Sequence, residues 1–254
     1  MSVDFNIHQG IATLAFNRPE KKNAITSAMY QALADGMLQA ASDAAVRAII
    51  ITGEGGVFTA GNDLEDFLKN PPQGSDSPVA QFMAHLRDAS KPVIASVPGL
   101  AIGIGTTLLM HCDLVYASDT ARFAMPFSQL GLCPEFASSL LLPRVAGYQR
   151  AAEKLLLGEA FTAAEAQQMG LVNQVVSAQE LQPLVLKQAA KLAALPAESL
   201  RVTKQLMKSE LQASITASMQ QEMQHFTHML NAPDAKEAFS AFLEKRKPNF
   251  NHPD

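Results

Sequence analysis

Short apolar runs alternate along the chain with longer segments in which apolar residues recur at helical spacing. The runs are rich in β-branched residues and bounded by turn residues, so each predicts a strand. They cover residues 3–8, 11–16, 46–52, 92–97, 114–117, 122–124 and 172–176. Thr26 or Ser27 is predicted to cap a helix that runs to about Ala41. The repeated strand–turn–helix order predicts an α/β fold, with a largely parallel sheet and helices packed on it.

Beyond residue 135 the pattern becomes mostly helical. Capping-box patterns at residues 162–165 and 177–180 each predict a helix start, and residues 234–237 form a weaker third case. From about residue 197 to 245, Met, Leu and Phe recur at helical spacing and need a surface to cover, in the core or on a neighbouring subunit. We therefore divide the chain into a core of residues 1–195 and a helical region of residues 196–254.

Residues 69–78 interrupt the pattern with a concentration of Pro, Gly, Ser and Asp. Such residues favour turns and break regular structure. Strands and helices continue to alternate on both sides of the segment. We therefore interpret it as a mobile surface loop within one unit, and not as a linker between two domains.

Composition narrows the class of protein. A chain of 254 residues with 48% hydrophobic content can form one large α/β unit, and its net charge of −4 gives no indication of a nucleic acid or anionic membrane partner. No apolar run reaches the roughly 18 residues that a membrane span requires, and no signal-peptide pattern is visible. Cys112 and Cys133 form neither a disulfide framework nor a metal-site spacing. We expect a soluble cytoplasmic protein.

Two glycine-rich segments place backbone amides where a ligand could approach closely. One covers residues 99–107, and the other consists of Ala60, Gly61, Asn62, Asp63 and Leu64. The first is not a dinucleotide loop, because the third glycine of that pattern would fall at Leu108. Tight helix–sheet packing explains these glycines equally well. Alternatively, N–H groups from both segments form an oxyanion hole, whereas the Asp63 side chain is better explained as a helix cap.

Glu135 is the most distinctive candidate for chemistry, because it is a carboxylate in the mostly apolar segment 126–139. Apolar surroundings raise the pKa of a carboxyl group by desolvation, which suits a general base near neutral pH. The other interpretation is a first-turn acid of the helix that follows Pro134. One carboxylate close to exposed backbone amides suits proton transfer next to an activated carbonyl.

Other polar clusters are weaker candidates. Glu222, His225 and His228 have helical spacing, which allows a metal site, but satisfied polar residues on an amphipathic helix explain them better. The segment 111–113 contains His and Cys side by side, yet adjacent residues do not converge on one atom. Residues 245–247 form a basic helix end that could also neutralise a ligand phosphate. We expect no metal site.

Five collinear segments resemble the enoyl-CoA hydratase/isomerase (crotonase) superfamily, and the match covers nearly the whole chain. The segments are NRPEKKNA (17–24), IIITG (49–53), FTAGNDL (58–64), KPVIASVPG (91–99) and ASDTARF (117–123). The resemblance implies an α/β crotonase-type spiral of ββα turns with a C-terminal helical trimerisation region, in a homotrimer or a dimer of trimers. It also implies an acyl-CoA substrate, and no separate cofactor because CoA is part of that substrate.

The resemblance also implies roles for individual residues. By position, the backbone N–H groups of Asn62 and Ile104 match the oxyanion hole of the family. The backbone that binds adenine corresponds to residues 60–64, and Lys21 and Lys22 are expected near the phosphates of CoA.

The chain departs from the hydratase pattern at two positions. Hydratases of the family carry two glutamates, whose positions match Thr107 and Phe127, and neither of these side chains can activate water. Glu135 instead matches the single catalytic glutamate of the Δ3,Δ2-enoyl-CoA isomerase branch. The resemblance therefore implies that Glu135 moves a proton from C2 to C4 of a 3-enoyl-CoA, while Phe127 helps to exclude water.

Two alternatives remain beside the isomerase. The first is a hydratase, or another reaction of the family on an unusual acyl-CoA, and Thr107 and Phe127 argue against it. The second is a non-catalytic scaffold that binds acyl-CoA, since a fold can keep its binding site after losing its chemistry. Glu135 argues against the scaffold.

Overall fold

The computed structural model describes residues 2–70, 74 and 76–251. Its strands are β1 (Val3–His8), β2 (Ile11–Phe16), β3 (Ala48–Gly53), β4 (Val93–Val97), β5 (Leu100–Ile102), β6 (Leu114–Ser118), β7 (Arg122–Ala124), β8 (Phe161–Thr162) and β9 (Gln174–Val176). Its helices are α1 (Ser27–Ser42), α2 (Leu64–Lys69), α3 (Pro78–Arg87), α4 (Ile104–Thr107), α5 (Ser138–Ala146), α6 (Tyr148–Leu157), α7 (Ala163–Gln168), α8 (Ala178–Ala194), α9 (Ala197–Ser209), α10 (Gln212–Leu230) and α11 (Pro233–Leu243). Short 3-10 helices cover Pro19–Lys21, Leu108–His111 and Ser128–Leu130.

The main sheet has the strand order β1-β2-β3-β4-β6-β9. β1 and β2 form an antiparallel hairpin, whose turn holds Gln9 and Gly10 at φ 49° and 75°. The remaining neighbours pair in parallel. Helices connect these parallel strands, because a parallel pair needs a crossover connection. The largely parallel sheet predicted from the sequence is therefore confirmed.

β3 is buried on both faces, which explains its continuous run of isoleucines. Ile49 and Ile51 belong to the main core, whereas Ile50 packs with Leu181 and Val185 of α8 in a second apolar cluster. A parallel strand that helices cover on both faces has no face in contact with solvent. Polar and apolar residues therefore do not alternate along its sequence.

A smaller sheet stands beside the main one and has the strand order β5-β7-β8. β4 leads into β5 through Pro98 and Gly99. A Cβ atom at Gly99 would lie 2.1 Å from the carbonyl oxygen of Gly56, so the two backbones cross in direct contact. This crossing places the chain after β3 against the chain after β4.

Two of the three predicted capping boxes are found at helix starts. They are the boxes at residues 162–165 and 177–180, which are confirmed. The third is wrong, because α11 begins at Pro233 with Ala232 as its N-cap. α4 is only one turn of α-helix and continues as a 3-10 turn that ends at His111. The predicted mobile loop includes residues 71–73 and 75, which lie outside the described residues.

The C-terminal helices close the main core. The predicted boundary at residues 195 and 196 falls between α8 and α9. Phe226 of α10 and Ala235 and Phe239 of α11 are buried in the same cluster as the strands. In the part of the chain that the structure describes, no helix combines the length and apolar character needed to cross a bilayer.

A buried ion pair ties α9 to the sheet. The ammonium group of Lys204, a side chain only 5% exposed, donates to a carboxylate oxygen of Asp113 over 2.6 Å and to the carbonyl oxygen of Lys91 over 2.8 Å. The same Asp113 oxygen accepts the N–H of Val93 at the start of β4. Each partner therefore depends on the other for its charge balance.

Lys204→Met should lower the free energy of unfolding by about 3 kcal/mol, because it leaves the Asp113 carboxylate buried without its cation. Urea unfolding followed by circular dichroism measures this change. Lys187→Met, at an exposed position of α8, is the control and should change stability by less than about 0.5 kcal/mol. Equal effects of the two substitutions would contradict the structural role of the pair.

Candidate active site

A cavity of about 820 Å³ lies between the two glycine-rich segments, the segment around Glu135 and helix α11. Every site residue predicted from the sequence lines it: Lys21, Lys22, Ala60, Gly61, Asn62, Asp63, Leu64, Ile104, Phe127 and Glu135. The fold thus brings four separate stretches of the chain to one place. The volume suits a ligand of cofactor size.

The two glycine-rich segments run side by side. The N–H of Thr59 donates to the carbonyl of Leu100, and the N–H of Ile102 donates back to Thr59. A Cβ atom at Gly61 would lie 2.8 Å from the carbonyl oxygen of Ile102, and one at Gly105 would lie 2.6 Å from the Thr59 methyl group. Close packing therefore explains Gly61 and Gly105, whereas a Cβ atom at Gly103 would meet nothing within 4 Å.

The same packing leaves two backbone amides without protein acceptors. Hydrogen bonds on either side of Asn62, from Ile25 N–H to Gly61 and from Asp63 N–H to Ile25, hold its backbone in place. Ile104 is the first residue of α4, so its own N–H has no acceptor within the helix. Neither the Asn62 nor the Ile104 N–H finds an acceptor among the described residues. Both residues line the cavity, as an oxyanion hole requires.

The lysine-bearing loop is fixed at the mouth of the cavity by a buried asparagine. The Asn23 side chain accepts the N–H of Arg18 and donates to the carbonyl oxygens of Glu54 and Val57. Lys21 and Lys22 are exposed on this loop. They can therefore contact an anionic part of a ligand without the desolvation cost of burying their own charge.

The side chain of Asp63 has a structural role. It caps α2 through the N–H of Asp66 and forms an ion pair of 2.6 Å with Arg18. Burial raises the pKa of the Asp63 carboxyl, but the hydrogen bonds from Arg18 and the backbone outweigh burial and lower the pKa below its ordinary value. The predicted helix-cap role is confirmed, and the carboxylate is occupied by the cap and the ion pair.

Glu135 occupies the buried end of the cavity. Its Oε1 atom is buried and has no hydrogen-bond partner among the described residues. Burial first, and then the negative charge of Glu222, raise the pKa of Glu135 to about 8. The interpretation as a first-turn acid is wrong, because α5 begins only at Ser138. Glu135 is instead a carboxyl group with one buried oxygen that lacks a partner among the described residues, and its pKa is shifted toward neutral pH.

A left-handed turn separates Glu135 from α5. Phe136 and Ala137 have φ values of 57° and 56°, which is a strained conformation for residues with a side chain. The His111 ring stacks on Phe136 with centroids 3.8 Å apart, and its Nε2–H donates to the Phe136 carbonyl over 2.8 Å. Burial lowers the pKa of His111 to about 3, so the ring is neutral. His111 is thus a support for the turn.

Tyr30 of α1 reaches the site although its sequence pattern indicates only a core position. Its hydroxyl donates to the side-chain oxygen of Asn62. Burial and the neighbouring charge of Glu135 raise the pKa of Tyr30 well above its ordinary value, so the hydroxyl keeps its proton. Tyr30 therefore fixes the residue whose N–H faces the cavity. The helical spacing of α1 carries no signal that separates this tyrosine from its apolar neighbours.

Thr107 and Phe127 lie where the resemblance places the two hydratase acids. Thr107 is fully buried, and its hydroxyl donates to the carbonyl of Ile104 over 3.4 Å. Phe127 lines the cavity with an apolar ring. The C-terminal helices and the segment after α11 complete the apolar wall, which the sequence pattern did not predict. This wall includes Phe226, Ala238, Phe239, Phe242, Leu243 and Phe250.

The weaker clusters do not form sites of their own. The described residues contain no group of three or more His, Cys, Asp or Glu side chains suited to a metal ion. His225 and His228 are exposed, whereas Glu222 is buried. Burial raises the pKa of Cys112 to about 12, so that thiol is not an activated nucleophile. Arg246 lines the cavity mouth while paired with Glu237 and Glu244.

Glu135→Gln should stabilise the protein at alkaline pH. Between pH 4.5, the ordinary pKa of Glu, and about 8, the folded state keeps a proton that the unfolded state releases, so wild-type stability falls as pH rises. Glutamine cannot ionise. Its advantage should be near zero at about pH 4 and reach a few kcal/mol, as an order of magnitude, at about pH 9.

Urea unfolding of both proteins across this pH range measures the difference. Glu210→Gln removes an exposed carboxylate at the end of α9 and should reproduce the wild-type pH dependence. A Glu135→Gln advantage that is the same at every pH would show that Glu135 titrates normally.

The chain also matches known proteins over most of its length. Residues 6–253 match the family model described as enoyl-CoA hydratase/isomerase. A 2,3-dehydroadipyl-CoA hydratase from Escherichia coli K12 is 34% identical over 243 residues, which are 95% of each chain. Human enoyl-CoA delta isomerase 2 is 38% identical over 206 residues, which are 78% of this chain but only 52% of the human protein. The chain therefore spans about half the length of that isomerase.

The fold agrees with these matches. The crystal structure of an enoyl-CoA hydratase/isomerase from Pseudoalteromonas atlantica T6c superimposes with a TM-score of 0.95 and 38% identity. The superposition covers 98% of this chain and 100% of that chain. The predicted α/β crotonase-type fold is thereby confirmed, and the chain belongs to the enoyl-CoA hydratase/isomerase family.

Proposed function

We propose that this protein is a Δ3,Δ2-enoyl-CoA isomerase, which moves the double bond of a 3-enoyl-CoA to the 2-position. The observation that carries the proposal is the buried Oε1 atom of Glu135, which has no hydrogen-bond partner among the described residues and shares a cavity with Asn62 and Ile104, whose N–H groups have no acceptor there. One acid–base group beside two amide donors is sufficient for a proton shuttle next to a thioester.

An acyl-CoA would occupy the cavity with its charged end outward. Lys21 and Lys22 lie at the mouth, where they would contact the phosphates of CoA, and the backbone of residues 60–64 would contact the adenine. The opposite end is apolar and buried, which suits an acyl chain. CoA belongs to the substrate, so the proposed reaction uses no separate cofactor.

The first step removes a proton from C2. The thioester oxygen accepts the N–H groups of Asn62 and Ile104, which stabilises negative charge on that oxygen and acidifies the C2–H bond. The Glu135 carboxylate takes the proton, and the electron pair of the broken bond delocalises over the carbonyl and the double bond as a dienolate. A single oxyanion donor contributes on the order of 3 kcal/mol to such a transition state.

The second step returns the same proton at C4. Glu135, now protonated, donates to C4, and the electrons of the dienolate re-form the carbonyl and place the double bond between C2 and C3. Base and acid are the same group in turn, so no second carboxylate is needed. A pKa near 8 suits both steps, because it lies close to the working pH.

Hydration is the competing function, since the Escherichia coli relative is named a hydratase. Hydration requires carboxyl groups that activate a water molecule. Among the described residues, the other carboxylates that line this cavity are not available for that role. Asp63 is paired with Arg18, and Glu65 is exposed on α2. The buried side chains of Thr107 and Phe127 offer no acid.

The assembly proposed is a homotrimer or a dimer of trimers, built through the C-terminal helical region. Exposed apolar side chains on α9 support a subunit contact there: Val202, Leu206 and Met207. Each of them would gain from burial against a neighbouring copy.

Glu135→Gln should abolish isomerisation while leaving binding intact. The amide cannot accept the C2 proton, so kcat should fall by roughly a hundredfold or more, with KM little changed. The measurement is a spectrophotometric assay on 3-enoyl-CoAs of graded chain length, together with titration calorimetry of acyl-CoA binding.

Two outcomes would contradict the proposed isomerase function. One is wild-type turnover by Glu135→Gln. The other is loss of absorbance from a trans-2-enoyl-CoA at a rate exceeding isomerisation, which would identify a hydratase. Binding of every 3-enoyl-CoA without turnover by the wild-type protein would instead favour the acyl-CoA-binding scaffold.

Tyr30→Phe should lower kcat by roughly tenfold, because it removes the hydrogen bond that fixes Asn62 and leaves a buried amide oxygen unpaired. KM should change much less, since the N–H matters most when charge develops on the thioester oxygen. Steady-state kinetics with the preferred 3-enoyl-CoA separate the two effects. Tyr148→Phe, at a side chain 70% exposed, is the matched control. Equal kcat for both variants would show that the Tyr30 hydroxyl does not support catalysis.

A further inference from the structure

Glu222 is a buried carboxylate that sequence and family features do not explain. It lies on α10 and is 7% exposed. One of its oxygens accepts the N–H of Ala137 over 2.6 Å, and the other accepts the N–H of Ser139 over 3.0 Å and its hydroxyl over 2.5 Å. All three donors belong to the segment that directly follows Glu135.

This segment would not hold its conformation unaided. Phe136 and Ala137 are both left-handed without being glycine, and such a pair persists only where the surroundings fix it. The contacts of Glu222 begin at Ala137 and end at Ser139, so they span the junction between the turn and α5. On the near side, the N–H and hydroxyl of Ser138 donate to the Glu135 carbonyl. Glu222 therefore fixes the backbone from which the Glu135 side chain projects.

We propose that Glu222 is a positioning residue for Glu135: it fixes the left-handed turn that carries the catalytic carboxyl, and its buried negative charge opposes ionisation of that carboxyl. The role rests on the proposed isomerase function. It assigns to α10 a direct part in tuning the base, beyond closing the core.

The hydrogen bonds decide which of the two carboxyl groups carries the charge. Burial raises the pKa of Glu222, but its three donors favour the ionised form and work against that increase. Glu135 Oε1 has no donor within the part of the chain that the structure describes. Glu222 therefore ionises first, and its charge makes the second ionisation in this buried pair harder.

Other groups facing Glu135 do not cancel this charge. Tyr30 of α1 is neutral with its pKa raised, and the Cys133 thiol is neutral because burial, followed by the charge of Glu222, raises its pKa to about 11. Three cations line the same cavity: Lys21, Lys22 and Arg246. The lysines are exposed at the mouth, and Arg246 is bound to two glutamates of its own. Asp63 and Glu65 are further along the wall, and the first is paired with Arg18.

The test is Glu222→Gln, with Glu135 titrated directly by ¹³C NMR of protein labelled at glutamate side-chain carboxyls. Glu135→Gln assigns the resonance. The wild-type midpoint is expected near pH 8. In Glu222→Gln it should move down by about one pH unit or more, because the like charge is gone. The midpoint of kcat/KM against pH should move by the same amount, and kcat should fall severalfold with KM nearly unchanged.

Glu210→Gln is the matched control, since it removes an exposed carboxylate remote from the turn and should leave the Glu135 midpoint in place. A fall in kcat with an unmoved midpoint would reduce Glu222 to a structural residue and overturn the proposal, as would an unchanged kcat. If the wild-type protein lacks isomerase activity while the midpoint still moves, the proposed function fails and the coupling between the two carboxyls stands.

Glu222→Asp keeps the inference testable should Glu222→Gln fail to fold. Aspartate retains the charge but is one methylene too short to reach both amide donors. The Glu135 midpoint should therefore stay near pH 8 while kcat falls. Wild-type kcat in Glu222→Asp would show that the reach of this side chain is irrelevant, and a lowered midpoint would contradict the electrostatic role.

Discussion

The close approach of two backbone segments is the constraint on which this site depends. Residues 59–62 and 100–105 hydrogen-bond side by side, and a Cβ atom at Gly61 or Gly105 would collide with the opposite segment. Hydrogen bonds and helix geometry fix the flanking groups, and the N–H groups of Asn62 and Ile104, two residues that line the cavity, have no acceptor among the described residues. A preorganised pair of donors loses no free energy to reorganisation when charge develops on a ligand oxygen.

The carboxyl of Glu135 imposes the opposite constraint, because the fold does not satisfy it. Its unpartnered oxygen and raised pKa are unfavourable for stability at neutral and alkaline pH. The surroundings compensate by holding the turn rigidly, with His111 stacked under Phe136 on one side and Glu222 on the other. Active sites commonly retain such local costs, since a fully satisfied carboxyl group could not exchange a proton with a substrate.

The C-terminal helices belong to the candidate active site as well as to the core. α10 supplies Glu222, which binds the turn after Glu135, and Phe226 of α10 joins Phe239 and Phe242 of α11 in the cavity wall. The segment around Glu135 is therefore held between the sheet and these helices. Loosening α10 should disturb the proposed base as directly as a change in the glycine-rich segments would.

The sequence by itself determined the parallel sheet, the helix starts at Thr162 and Ser177 and ten of the residues that line the cavity, but not its apolar wall. Apolar periodicity, capping and collinear motifs are local signals, so one sequence can carry them. Only the tertiary structure decided the roles of Tyr30 and Glu222. Both occupy ordinary positions of amphipathic helices, and their partners, Asn62 and the 137–139 segment, are distant in the chain. Burial and donor geometry gave these polar groups their roles, and neither is encoded in the spacing of residues along one helix.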